Sequence, residues 1–158
     1  MDNKNIERLA NTLWVAEIKN IEVIAKNTIA NTSEDYAKNF AENIVKEKLD
    51  KIGLPYSLNG GVNSLEYLDQ KFLIMISPGQ ILPKNGKENV KRHAHKIIAT
   101  MKEHSLSGAI YFMPFLMNNG NVRNILQKEL SQKDASIGFV NLPYDSKSLE
   151  RRIIAYLK

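Results

Sequence analysis

The chain has 158 residues, a formal net charge of +5, 43% apolar and 25% charged side chains, and no cysteine. That length suits one domain with a real core; the composition excludes a disordered chain, a disulfide scaffold, a thiolate metal site and a cysteine nucleophile. The polar start Met1-Asp2-Asn3-Lys4-Asn5 does not read as a signal peptide and no apolar run is long enough to span a bilayer, so the expectation is a cytoplasmic protein without a membrane contact.

Residues 3–30 read as one long amphipathic helix, with Ile6, Leu9, Leu13, Ile21, Ile24 and Thr28 recurring at helical spacing. Asn31-Thr32-Ser33 breaks it, and Thr32 or Ser33 caps a second helix that runs to Ile52 through Tyr36, Phe40, Ile44, Val45 and Leu49. Gly53 is placed to take the left-handed conformation after that helix, and Pro55 prevents its continuation. Leu54–Leu58 is short and extended, Asn59-Gly60-Gly61 is a turn suited to a hairpin, and 62–68 is open between strand and short helix. Phe72–Ile76 is a continuous apolar run before a proline, the pattern of a buried strand.

From there a strand, a proline and a helix start recur. Ile74–Ser77 leads to Pro78 and a helix over 88–104; Ile110–Met113 to Pro114 and a helix over 121–132; Phe139–Leu142 to Pro143 and a helix over 146–157. Consecutive β-loop-α units imply parallel strands joined by crossover helices. The fold class is therefore α/β: a mostly parallel sheet of about four or five strands, preceded by an N-terminal helical pair and a short hairpin. No linker divides the chain, so 1–158 reads as a single domain with a helical pair at 1–53 and the sheet at 54–158.

Charge is distributed unevenly. Residues 1–53 carry 8 basic and 9 acidic side chains, whereas 54–158 carry 14 basic and 8 acidic. Between 71 and 102, Lys71, Lys84, Lys87, Lys91, Arg92, Lys96 and Lys102 face Glu88 alone. Such a block either solvates a helix or meets an anionic partner. The expected function is non-catalytic binding of nucleic acid or another polyanion through a basic loop-helix, 84–102, with Lys84, Lys87, Lys91, Arg92, His95, Lys96 and Lys102 on phosphates.

A second reading uses the C-terminal edge of the sheet, where βα loops and helix N-termini gather, for a phosphorylated ligand. Asn118, Asn119, Arg123, Asp145 and Lys147 are its candidates. A third makes the long N-terminal helix a surface for self-association, anchored by Trp14. Catalytic signatures are missing: Gly86-Lys87 is followed by Glu88 rather than Ser or Thr, there is no Gly-x-Ser-x-Gly, and His93 and His95 lie two apart on a helix, pointing to different sides. No cofactor or metal is expected. Finally, a helix followed by an antiparallel hairpin and mixed αβ elements resembles, in element order, the metal-dependent nucleases of the restriction-endonuclease type. Glu66 or Asp69 would stand for the first acid, but the following strand, 72–77, has neither acid nor lysine, which would make a degenerate site.

Overall fold

A computed structural model of the chain describes residues 3–15, 24, 36–58, 61–76, 87–114, 120–142 and 151. Its elements are α1 (Asn3–Val15), α2 (Tyr36–Ile52), β1 (Tyr56–Ser57), β2 (Ser64–Tyr67), β3 (Gln70–Ile76), α3 (Lys87–Glu103), β4 (Gly108–Pro114), α4 (Gly120–Ser131) and β5 (Ile137–Leu142). The five strands form one sheet in the order β1-β2-β3-β4-β5.

The expectation of an α/β fold holds, and that of a mostly parallel sheet holds in part, for the sheet is mixed. β1 pairs with β2 and β2 with β3 antiparallel, while β3, β4 and β5 run parallel. The cause is connection length. Tyr67 pairs with Gln70, leaving only Leu68 and Asp69 to reverse the chain, and a two-residue turn can join only antiparallel neighbours. The parallel strands are joined through α3 and α4, as the β-loop-α pattern requires. The segment left open at 62–68 is a strand over 64–67.

Side-chain alternation along the parallel strands builds two cores. Phe72, Ile74, Ile110, Phe112, Val140 and Leu142 face α1 and α2, meeting Ile6, Leu9, Leu13, Phe40, Ile44 and Leu49. Leu73, Ala109, Tyr111, Met113 and Phe139 face α3 and α4, meeting Val90, Ala94, Ile97, Met101, Leu126 and Leu130. The result is three layers, with helices on both faces of the sheet. α1 presses closely on the last two strands. A Cβ on Gly138 would lie 3.1 Å from the Ala10 Cβ and 3.3 Å from the Ile6 carbonyl oxygen, and one on Gly108 would lie 2.8 Å from the Ile6 Cδ1. Glycine at these strand positions is what lets the helix approach.

Of the helix expected over 3–30, residues 3–15 are described as α1, and the buried ammonium of Lys48 donates to the carbonyls of Leu13 (2.9 Å) and Trp14 (3.3 Å). Beyond it, only Ile24, helical and buried, belongs to the described residues of that stretch. Of the helix expected over 146–157, only Arg151, helical and exposed, is described. Gly53 ends α2 as expected, with φ of 72° and with Leu54 N donating to Leu49 O and Gly53 N to Asp50 O. α3 and α4 end in the same hydrogen-bond pattern, with Ser105 and Asp134 in the left-handed position.

Candidate nucleic-acid interface

α3 buries Val90, Ala94, Ile97, Ile98 and Met101, a stripe three and four apart, and this fixes where its cations go. Arg92 and Lys96 lie on the outward crest and are exposed. Lys91, half-buried, and the exposed His95 and Lys102 occupy the flank next to α4. From Lys91 to Lys102 the ridge is roughly 16 Å long at 1.5 Å per residue. Lys87 opens the helix; Lys84 lies outside the described residues. Acidic side chains on α3 are Glu88 in the first turn and Glu103 at the last position.

Lys87 and Glu88 share the first turn of α3, where unpaired N–H groups give a positive partial charge; Lys91 and Arg92 lie in the second turn. α3 and α4 both start at the C-terminal edge of the parallel strands and pack side by side, so two positive helix ends share that edge.

The three histidines separate. His93 is half-buried on the opposite flank of α3, its Nε2 3.0 Å from the Tyr111 hydroxyl and its ring edge-on to that tyrosine. Burial, and then the Lys96 charge, hold its pKa below the ordinary histidine value. His95 lies 3.4 Å from the Glu129 carboxylate of α4, whose side chain is only 13% exposed. That pair ties the two helices together and leaves Arg92, Lys96 and Lys102 as the exposed cations of the ridge. His104, just past α3, is exposed.

Of the residues assigned to the alternative site, Asn118, Asn119, Asp145 and Lys147 lie outside the described residues. Arg123 is half-buried, with its guanidinium carbon 4.8 Å from the centre of the Phe139 ring. It faces the outer edge of β5, away from the α3 ridge. Asn141 is buried near the end of β5, and its Oδ1 has no hydrogen-bond partner among the described residues.

The two acids compared with a nuclease metal site are both exposed. Glu66 on β2 lies 3.8 Å from Lys71, its cross-strand partner, and Asp69 lies in the turn. β3 offers only Gln70 and Lys71 as polar companions. Among the described residues no group of three His, Cys, Asp or Glu could hold a metal ion, and no described helix is long and apolar enough to cross a membrane.

Sequence patterns did not identify Tyr111 as the partner of His93 or Glu129 as the partner of His95. For Tyr111 a signal existed: a hydroxyl in an otherwise apolar buried strand needs a partner. For Glu129 none did, because the register of two helices is not written in either one. Comparisons with protein-family models, curated proteins and solved structures give no match.

Proposed function

We propose that this protein binds nucleic acid non-specifically through the exposed ridge of α3, with Lys91, Arg92, Lys96 and Lys102 on phosphates and the N-terminal end of the helix adding to the positive field. The observation that carries this reading is the row of Lys91, Arg92, Lys96 and Lys102 along α3 outside its buried stripe, with Arg92, Lys96 and Lys102 exposed. Side chains on one helix face reach backbone phosphates and give affinity that depends on charge rather than on base sequence. The chain's net charge of +5 assists encounter with a polyanion.

Fluorescence anisotropy with a labelled 20-base duplex and its single strand tests the proposal. The Lys91→Ala/Arg92→Ala/Lys96→Ala variant is expected to bind at least about tenfold more weakly, at ~1 kcal/mol or less per phosphate contact. Arg8→Ala/Lys46→Ala, on the exposed surface of α1 and α2, is expected to bind as the wild type does. Equal affinity for the wild type and the α3 variant overturns the proposal.

A further inference from the structure

A carboxylate beside a row of cations either swings freely into solvent or is held in place. Glu129 is held. It lies on α4, on the flank next to α3, with Leu126 and Leu130 of the same helix in the core, and its side chain is only 13% exposed. Its Oε2 is 3.4 Å from the Nε2 of His95, whose own side chain is 62% exposed. The packing of α4 against α3 therefore fixes a negative charge beside the ridge and sets an exposed imidazole over it.

The net charge of this pair depends on pH, because the contact is an ion pair only while the imidazole carries a proton. With His95 neutral, the pair presents a negative charge to the ridge. With His95 protonated, the two charges cancel. The other charged groups around His95 are on the two helices. On α3, Lys91 and Arg92 lie one turn before it, Glu88 two turns before it and Lys102 two turns after it, while Lys96 follows it on the crest. On α4, Lys128 stands next to Glu129 and is exposed. The strands beneath contribute apolar side chains, Leu73, Ala109, Met113 and Phe139, and the hydroxyl of Tyr111.

We propose, resting on the reading of α3 as a phosphate-binding ridge, that His95 and Glu129 link nucleic-acid binding to proton uptake: the ridge holds phosphates more tightly when His95 is protonated, and Glu129 opposes them when it is not. Phosphates on Lys91 and Lys102 bring negative charge to the flank of α3 that His95 shares, and negative charge there favours the imidazolium. Linkage is reciprocal, so a ligand that favours the protonated form is bound more tightly where protons are more available. Affinity therefore rises as the pH falls from about 8 to about 6, the range in which a histidine ordinarily changes charge. A pair that served only as a strut between the helices would leave affinity independent of pH. His93 is on the opposite flank of α3 against Tyr111, and His104 lies past the end of the helix, so neither faces Glu129.

Fluorescence anisotropy of the labelled duplex at fixed salt, at about pH 6 and about pH 8, reads this linkage. The wild type is expected to bind about threefold or more tightly at the lower pH, the effect of one added positive charge on a phosphate-binding face. His95→Gln is expected to lose that difference, and His93→Gln and His104→Gln to keep it. Glu129→Gln, which preserves shape and removes the charge, is expected to bind about twofold or more tightly than the wild type at about pH 8. Equal wild-type affinity at the two pH values, or a difference that His95→Gln retains, overturns the proposal while leaving the ridge itself standing. Unchanged binding by Glu129→Gln at the higher pH overturns the role given to Glu129. No binding by the wild type at either pH removes the phosphate-binding ridge and the proton linkage together.

Discussion

The surroundings of His93 favour its neutral form. Its imidazole is half-buried against Tyr111 with Lys96 nearby, and both the desolvation and the neighbouring charge disfavour the protonated form. In the unfolded chain its pKa returns to about 6.5. Above that value both states leave it unprotonated and folding is unaffected. Below it the unfolded chain takes up a proton that the folded chain refuses, so stability falls as the pH drops from about 6.5 toward the depressed folded value. Urea unfolding at about pH 7.5 and pH 5.5 should show a smaller loss of stability for His93→Gln than for the wild type. Equal losses would mean that the residue titrates freely. Sequence spacing placed His93 at the edge of the buried stripe, and there it lies; the Tyr111 contact depends on the packing of α3 over β4 and was not legible. Lys48 is the same kind of case. It occupies the apolar row of α2 between Val45 and Leu49, which marks it as unusual, but the carbonyls it reaches are 34 and 35 residues away in sequence. Burial, then the Lys51 charge, lower its pKa, and two backbone carbonyls accept from the ammonium.

At the scale of elements, periodicity located α2, α3, α4 and the three parallel strands to within a few residues, because one buried face per helix and two per central strand leave a regular apolar pattern. What meets the carbonyls of Leu13 and Trp14 was missed because it comes from another helix. The β2–β3 turn was missed for a different reason. Leu68 and Asp69 both have positive φ, 50° and 62°, and neither residue signals a tight two-residue turn. Holding a bulky side chain there costs about 1–2 kcal/mol. Leu68→Asn/Asp69→Gly, which supplies the residues this turn prefers, should therefore stabilise the fold by about 1 kcal/mol, read as a raised urea midpoint with an unchanged slope. An unchanged or lowered midpoint would show that the exposed Leu68 contributes a contact that outweighs the strain.

At the scale of the molecule, the sheet sorts the chain into two surfaces. The pair α1 and α2 covers one face, while α3 and α4 cover the other with their positive ends at one edge. The basic block was legible because charge composition needs no folding to be counted. Its division into a ridge, a His95–Glu129 pair and an edge residue, Arg123, was not, because each depends on how α3 and α4 pack. The β5 edge was equally hidden: strand order decides which strand is last, and the expected parallel units did not state where the hairpin would join. The measurement that tests phosphate binding most directly is the salt dependence of duplex affinity, for the wild type and for Lys91→Ala/Arg92→Ala/Lys96→Ala. With Lys91, Arg92, Lys96 and Lys102 on phosphates, the logarithm of the binding constant should fall against the logarithm of salt with a slope of roughly −3 to −4, reduced in magnitude by about 2–3 in the variant. Equal slopes for the two proteins would contradict the account and return the α3 cations to the role of a solvated helix surface.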